Sequence, residues 1–228
     1  TVEAFQKQEA LKKINAILKI AKPNSAFNQI ELNGKEIVAN NGDQALCVEF
    51  PVDLDFPIYV EGVFLKNAIS GMSDKEITLS LEDDRLFIND KVRIPIIADN
   101  KVNFTHIRRA KKQPSAVILP SDFSAKYKEF AAHRYSCDSQ RPNMLHPSLM
   151  GDGAFFATDT LTLILQTDYF NAEGSFLQGI KCLGLAGVPV ASCPLDFLPD
   201  CTLEAFEKDS QFDFVIEDAE KRFFYKAP

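Results

Sequence analysis

Apolar residues recur at helical spacing near the start of the chain. Leu11, Ile14, Ile17, Leu18 and Ala21 fall on one face, and Pro23 closes the run, so the pattern predicts an amphipathic helix over residues 4–21. The period then shortens to two. Residues 27–32 and 36–39 alternate, Asn40-Asn41-Gly42-Asp43 offers a turn, and 45–50 alternates again, which predicts antiparallel strands. A further short strand is expected over 57–60. Val63, Leu65, Ala68 and Ile69 restore helical spacing over 62–72, until Ser73-Asp74 breaks it. Ile77, Leu79 and Leu81 alternate up to Asp83-Asp84, and Leu86, Ile88 and Val92 answer from the return strand of a hairpin.

Residues 99–115 interrupt this pattern. His106, Arg108, Arg109, Lys111 and Lys112 crowd around little apolar material and Pro114 follows, as in a linker or an exposed basic crossing. After it the order of elements starts again. Phe123, Tyr127, Phe130 and Ala131 predict a helix over 121–134, residues 154–166 carry strand formers, 194–206 is a possible helix interrupted by Pro199, and 212–225 reads as a hairpin. Residues 10–22 align with 122–134 at an offset of 112, and Ala39-Asn40-Asn41 with Ala157-Thr158-Asp159 at 118. Glu82 of the first closing hairpin aligns with Glu217 of the second at 135. A Gly-rich stretch at about 171–187 has no counterpart in the first half, and one insertion there accounts for the drift. Any two helix-plus-hairpin units share something of this pattern, but internal duplication is the favoured reading. It divides the chain into domains at 1–105 and 116–228, the second carrying the insertion, with 106–115 as the basic linker between them.

With 228 residues, 46% of them hydrophobic and 25% charged, the chain has material for one large core or two of about 110 residues each. The net charge of -7, taken whole, opposes a surface coated for nucleic acid. No stretch approaches the roughly 18 uninterrupted apolar residues of a membrane helix, and the first 22 residues mix charge throughout. A cytoplasmic protein without a membrane partner is expected.

Five cysteines, an odd number without a CxxC pair, point to free thiols, and the dispersed His106, His133 and His146 do not suggest a metal centre. Cys137 lies four residues after His133, but spacing supplies neither an orienting third group nor an oxyanion site. Asp152, Asp159 and Asp168 fall at turns and strand ends, where aspartate is ordinary. Residues 174–187 lack both the GxGxxG and GK[ST] patterns and read as a flexible or surface loop. No catalytic residue, cofactor or metal is expected.

The placement of charge says more than its sum. On the first helix the apolar centre lies near Ala10, Ile14, Ile17 and Ala21, and the opposite face is Gln8, Lys12, Asn15 and Lys19. Lys13 and Lys22 flank that acid-free face, Lys7 precedes it, and Glu9 is the one nearby carboxylate. Flexible donors without acid suit sequence-independent contact with phosphate oxygens, while the plain alternative is a merely soluble face. The second copy is weaker, with Lys128 outward, Lys126 and His133 on its flanks, and Glu129 among them.

Arg141-Pro142-Asn143-Met144-Leu145, a strand, and then Phe156-Ala157-Thr158-Asp159 resemble the middle domain of the bacterial DNA polymerase sliding clamps, the beta subunit of the replicative polymerase. The resemblance implies an α+β DNA clamp fold of two repeated domains, each with two helices packed on antiparallel sheets. It also implies a non-catalytic processivity factor that encircles double-stranded DNA without reading sequence and tethers a DNA polymerase, delivered by a clamp loader. Its DNA-facing candidates are Lys7, Lys12, Lys13, Lys19, Lys22 and Lys66 in the first domain and Lys126, Lys128 and His133 in the second. Leu163 corresponds to a position of the family's pocket for partner peptides. Three departures stand out: Thr160-Leu161-Thr162-Leu163 replaces the family's Gly-His-Arg-Leu, residues 171–187 look inserted, and bacterial clamps carry three such domains where this chain has two. Two-domain chains are the pattern of the proliferating cell nuclear antigen and of certain phage clamps, so if this chain builds a ring of six domains the resemblance implies a homotrimer, whereas a truncated or divergent bacterial-type chain need not close. The competing expectation is a clamp-fold protein-interaction module that does not encircle DNA. An enzyme using Cys137 or the aspartates trails both.

Overall fold

The computed structural model describes residues 4–22, 25–108, 116–133, 146–159, 161–182, 187–206 and 211–227. Arg109, Lys111, Lys112, Cys137 and the motif at 141–145 lie outside the described residues. The chain forms two compact units, Thr1–Arg109 and Ala110–Pro228, built from helices and antiparallel strands in an α+β arrangement.

The first unit runs β1 (Phe5–Gln6), α1 (Lys7–Ala21), β2 (Gln29–Asn40), β3 (Gln44–Glu61), α2 (Gly62–Gly71), β4 (Glu76–Ile77), β5 (Leu79–Glu82), β6 (Arg85–Ile88), β7 (Val92–Pro95) and α3 (Thr105–Arg108). The strands expected separately at 27–32 and 36–39 are one strand, β2, and those at 45–50 and 57–60 are one strand, β3. The apparent break is a bulge. Gly34, at φ 57°, pairs with Leu54, and the next pair is Glu36 with Glu49, so residues 50–53 around Pro51 are left out of the ladder. The return strand after Asp83-Asp84 is two strands, because Asn89 and Asp90 turn left-handed at φ 50° and 54° and fold β7 back on β6.

Neither long helix of this unit has a side-chain cap at its start. Strand exits satisfy the leading amides instead. Phe5 and Gln6 pair with Ile77 and Glu76, and the Lys7 N–H then donates to the Lys75 carbonyl at 2.8 Å. Val60 and Glu61 pair with Ile30 and Gln29, and the Gly62 N–H then donates to the Asn28 carbonyl at 3.2 Å. The two corners are built alike, and the likeness reaches the sequence: Gln29-Ile30-Glu31-Leu32 stands where Glu76-Ile77-Thr78-Leu79 stands in the other. The first unit therefore carries a repeat of its own, finer than the domain-scale duplication read from the sequence.

The helices α1 and α2 lie antiparallel and are tied at both ends. At one end the Lys7 ammonium donates to the carbonyls of Ser70, at 2.9 Å, and Met72, where α2 stops. At the other end a Cβ on Gly62 would stand 2.6 Å from Leu18 Cδ2 and 3.2 Å from Ile30 Cγ2. Glycine is what lets α2 begin this close to α1. Beneath them Ile14, Ile17, Ile30, Leu65, Ile69 and Ile77 are fully buried.

The second unit runs β8 (Val117–Ile118), α4 (Phe123–Ala131), β9 (Ser148–Leu149), β10 (Phe155–Thr158), β11 (Leu163–Gln166), α5 (Leu177–Cys182), β12 (Val188–Pro189), β13 (Thr202–Ala205), β14 (Phe214–Glu217) and β15 (Lys221–Tyr225). One sheet has the order β11-β10-β9-β12, and β8, β13, β14 and β15 lie side by side in another. Two expectations are corrected. The Gly-rich stretch is not simply a flexible loop, because α5 lies in it, anchored by the fully buried Leu177. It follows β10 and β11 as α2 follows β2 and β3, so the stretch supplies the unit's second helix. Residues 194–206 form no helix; Pro194 and Pro199 cannot donate the amides a helix interior needs, and β13 starts at Thr202.

Both units turn on the same device at their central hairpin. The Asn41 side-chain oxygen accepts from the amides of Asp43 (3.0 Å) and Gln44 (2.9 Å), and the Asn41 N–H donates to the Gln44 carbonyl at 3.0 Å. An Asp159 carboxylate oxygen accepts from the amides of Leu161 (2.9 Å) and Thr162 (2.6 Å), and the Asp159 N–H donates to the Thr162 carbonyl at 3.3 Å. These are one Asx turn repeated at the offset of 118 seen in the sequence.

Candidate nucleic-acid interface

On α1 the apolar stripe Ala10, Ile14, Ile17 and Ala21 is wholly buried, so the helix can lie in one rotation only. That rotation turns Gln8, Lys12, Asn15 and Lys19 outward, and all of them are exposed. Lys22 continues the line at the helix end, exposed and left-handed at φ 42°. Among the described residues Lys12, Lys19 and Lys22 have no ion-pair partner, and neither has Lys66, half-buried on α2. The outward side of α2 carries Phe64, Asn67 and Ser70, and the helix contains no carboxylate.

The other expected cations have their own occupations. Lys7 is committed to the end of α2, where its charge meets the negative end of the helix dipole. Lys13 is mostly buried and sits 3.8 Å from Glu9. In the second unit Lys126 pairs with Glu129 at 3.0 Å and lies 5.7 Å from the centre of the Phe130 ring. Lys128 pairs with Asp196 at 2.7 Å, and His133 is half-buried beyond the end of α4. Sequence periodicity shows which way a side chain points, but not that Asp196, 68 residues along the chain, comes to meet Lys128.

Leu163 is 63% exposed on β11, which stands at the edge of its sheet. Leu161 and Leu165, at 91% and 49%, accompany it. Leu163 and Leu165 stand two apart on β11 and Leu161 two residues earlier in the turn, and that spacing was the signal in the sequence that would have added them.

The three aspartates considered for an enzyme lie at turns, and Cys137 lies outside the described residues. Asp152 accepts from the Ala154 amide at 3.2 Å, and Asp168 is left-handed at φ 52°. The hydrogen bonds from the backbone and hydroxyl of Thr162, then from Leu161, hold the Asp159 carboxyl below the usual carboxylate range. Burial pushes the Cys193 thiol up to about 12 and the Cys201 thiol up to about 11. These are protonated, unreactive sulfurs at neutral pH. No group of residues able to hold a metal ion occurs among the described residues, and none of their helices is long and apolar enough to cross a membrane.

No protein-family model and no curated protein matches the chain. Solved structures do. The chain superposes over its full length on the beta clamp of Helicobacter pylori, in a complex with a DNA ligase peptide, with a TM-score of 0.65 at 15% identity and 66% of that chain covered. The DNA polymerase III subunit beta of Pseudomonas aeruginosa gives 0.63 at 11% identity, with 100% of this chain and 65% of that chain covered. The sliding clamp of Bacillus subtilis gives 0.62 at 11%, covering 99% and 64%. The chain therefore has the sliding-clamp fold and spans just under two thirds of the length of these clamps.

Proposed function

We propose that this chain is a sliding clamp for DNA replication, a non-catalytic processivity factor that closes into a ring of three copies around duplex DNA and tethers a DNA polymerase. The observation that carries the reading is the exposed, acid-free line Gln8, Lys12, Asn15, Lys19 and Lys22 on a chain with a net charge of -7 and the clamp fold. A cation line on an acidic protein is a placed feature, and lysine is a phosphate donor that reads no base. In this reading the ring holds DNA by topology. The lysines then need only weak, salt-labile contacts, of the order of the 10⁻⁴ to 10⁻⁶ M dissociation constants of nonspecific binding, which permit sliding. Lys12, Lys19, Lys22 and Lys66 are the principal contacts. Lys7, Lys13, Lys126, Lys128 and His133 contribute less, because the lysines among them have partners already and His133 is half-buried.

Partner docking belongs to the same reading. The exposed Leu161, Leu163 and Leu165 offer an apolar edge to a short peptide of a polymerase or another replication enzyme, as the Helicobacter pylori clamp was seen with a DNA ligase peptide. The same leucines support the second reading, a clamp-fold interaction module that encircles nothing.

Two measurements test the proposal. Mass in solution should correspond to three chains, with a loader or DNA supplied if the ring needs one to close. Retention on closed circular DNA, lost when the circle is linearised, is the signature of encirclement, and Lys12→Glu with Lys19→Glu should abolish it. A chain that stays monomeric with loader and DNA present, or that Lys12→Glu and Lys19→Glu leave unchanged on DNA, would be the interaction module instead.

A further inference from the structure

The helix pair of the first unit carries an aromatic ring that contact with duplex phosphates does not use. Phe64 is 51% exposed on α2, and no aromatic ring stacks on it among the described residues. Single exposed apolar residues are common on protein surfaces. What sets this one apart is where the antiparallel packing puts it. Gly62 lies against Leu18, and the far end of α2 lies against Lys7. At equal rise along both helices Phe64 is thus level with about residue 16 of α1, between Asn15 and Lys19 and about one turn from Lys12. Asn67 and Ser70 are exposed beyond it on α2, and the helix has no carboxylate. An aromatic face between unpaired lysines suits a nucleic acid whose bases are free to leave the stack, since every base has a face to offer and the lysines follow the phosphates. Duplex DNA keeps those faces covered and cannot use the ring.

We infer that this helix face also binds single-stranded DNA, with phosphates on Lys12 and Lys19 and an unpaired base stacked on Phe64. The inference rests on the nucleic-acid reading above and adds a substrate class to the same surface. The test is fluorescence anisotropy of the full chain with a labelled oligothymidylate of about twenty nucleotides and with a duplex of equal length at one salt concentration. Phe64→Ala should weaken the single strand about 5- to 150-fold and leave the duplex as it was. Phe64→Tyr should keep the wild-type affinity, and Phe64→Leu should behave as the alanine variant, because stacking needs a ring. Circular dichroism checks that each variant is folded, which its exposed position favours. Equal loss on both DNAs in Phe64→Ala, or full binding by Phe64→Leu, would overturn the inference. A wild-type chain that binds duplex but no single strand would overturn this inference alone. Binding to neither DNA at protein concentrations up to about 10⁻⁴ M, where nonspecific phosphate contact is expected, would overturn the nucleic-acid reading beneath it.

Discussion

The leading helices of the two units occupy the same place in the same pattern, and they have been put to different use. Burial aligns them at an offset of 113, one more than residue-type matching suggested. Ala10, Ile14 and Ile17 then stand against Phe123, Tyr127 and Phe130, inward-facing in both, while the exposed Gln8, Lys12, Asn15 and Lys19 stand against the exposed Ser121, Ala125, Lys128 and Ala132. The first helix is seated on aliphatic residues and shows unpaired lysines. The second is seated on aromatic rings and shows alanine, with Lys128, the lysine of that outward face, already paired to Asp196. The rotation of the helix is the same in both units and its charge is not, so in the proposed clamp the grip on phosphate would belong mainly to the first unit.

The largest effect expected from breaking this comparison is on the seats. Phe130 stacks on Phe155 with ring centres 4.7 Å apart, and truncation to alanine should cost about 4 kcal/mol in the second unit. Ile17→Ala at the matching position should cost about 3 kcal/mol, both read by chemical denaturation. Next come the outward faces. Lys12→Ala with Lys19→Ala should lower the slope of log affinity against log salt by about two, while Lys128→Ala should change it by well under one. The gain-of-function counterpart, Ala125→Lys with Ala132→Lys, should raise that slope if the second helix meets the same DNA.

The second helices differ as well. Gly62→Val should destabilise by about 2 kcal/mol through overpacking on Leu18 and Ile30, whereas a Cβ at Gly179 of α5 meets nothing within 4 Å, and Gly179→Ala should gain up to about 1 kcal/mol. The smallest difference lies in the paired turns. Asp159 has its carboxyl held below the usual range by its hydrogen bonds, so its contribution to stability is present above about pH 4 and lost as pH falls through the lowered value. Asn41 does not titrate. Amide exchange at the hairpin should therefore quicken toward pH 2 in the second unit ahead of the first.

Much of this contrast was legible in the chain itself, and the rest was hidden for identifiable reasons. Helical period and the Asn40-Asn41-Gly42-Asp43 turn are local signals, and α1, α2, the hairpins and the acid-free face stand where those signals put them. The breaks inside β2 and β3 misled because a bulge at Gly34 and a proline at 51 look, in one dimension, like the end of a strand. The helix α5 was missed because its period is carried by few apolar residues in a glycine-rich setting, and its anchor Leu177 is recognised only by its burial. The occupied lysines were illegible for the strongest reason. Carbonyls at Ser70 and Met72 and the carboxylate of Asp196 lie more than 60 residues from the ammonium groups they hold, and only folding brings them there.

The paired turns also bear on how the protein ages. Asn41 precedes glycine, the arrangement in which a backbone amide most readily attacks the side-chain carbonyl before it and converts asparagine to aspartate through a cyclic imide. Here the attacking Gly42 N–H is held by the Asn40 side-chain oxygen at 2.8 Å, and the Asn41 side chain is held by two amides of its own turn. Where the reaction does run and leaves a normal aspartyl linkage, its product is the turn the second unit already carries at Asp159. This hairpin can absorb that form of chemical wear without losing its shape.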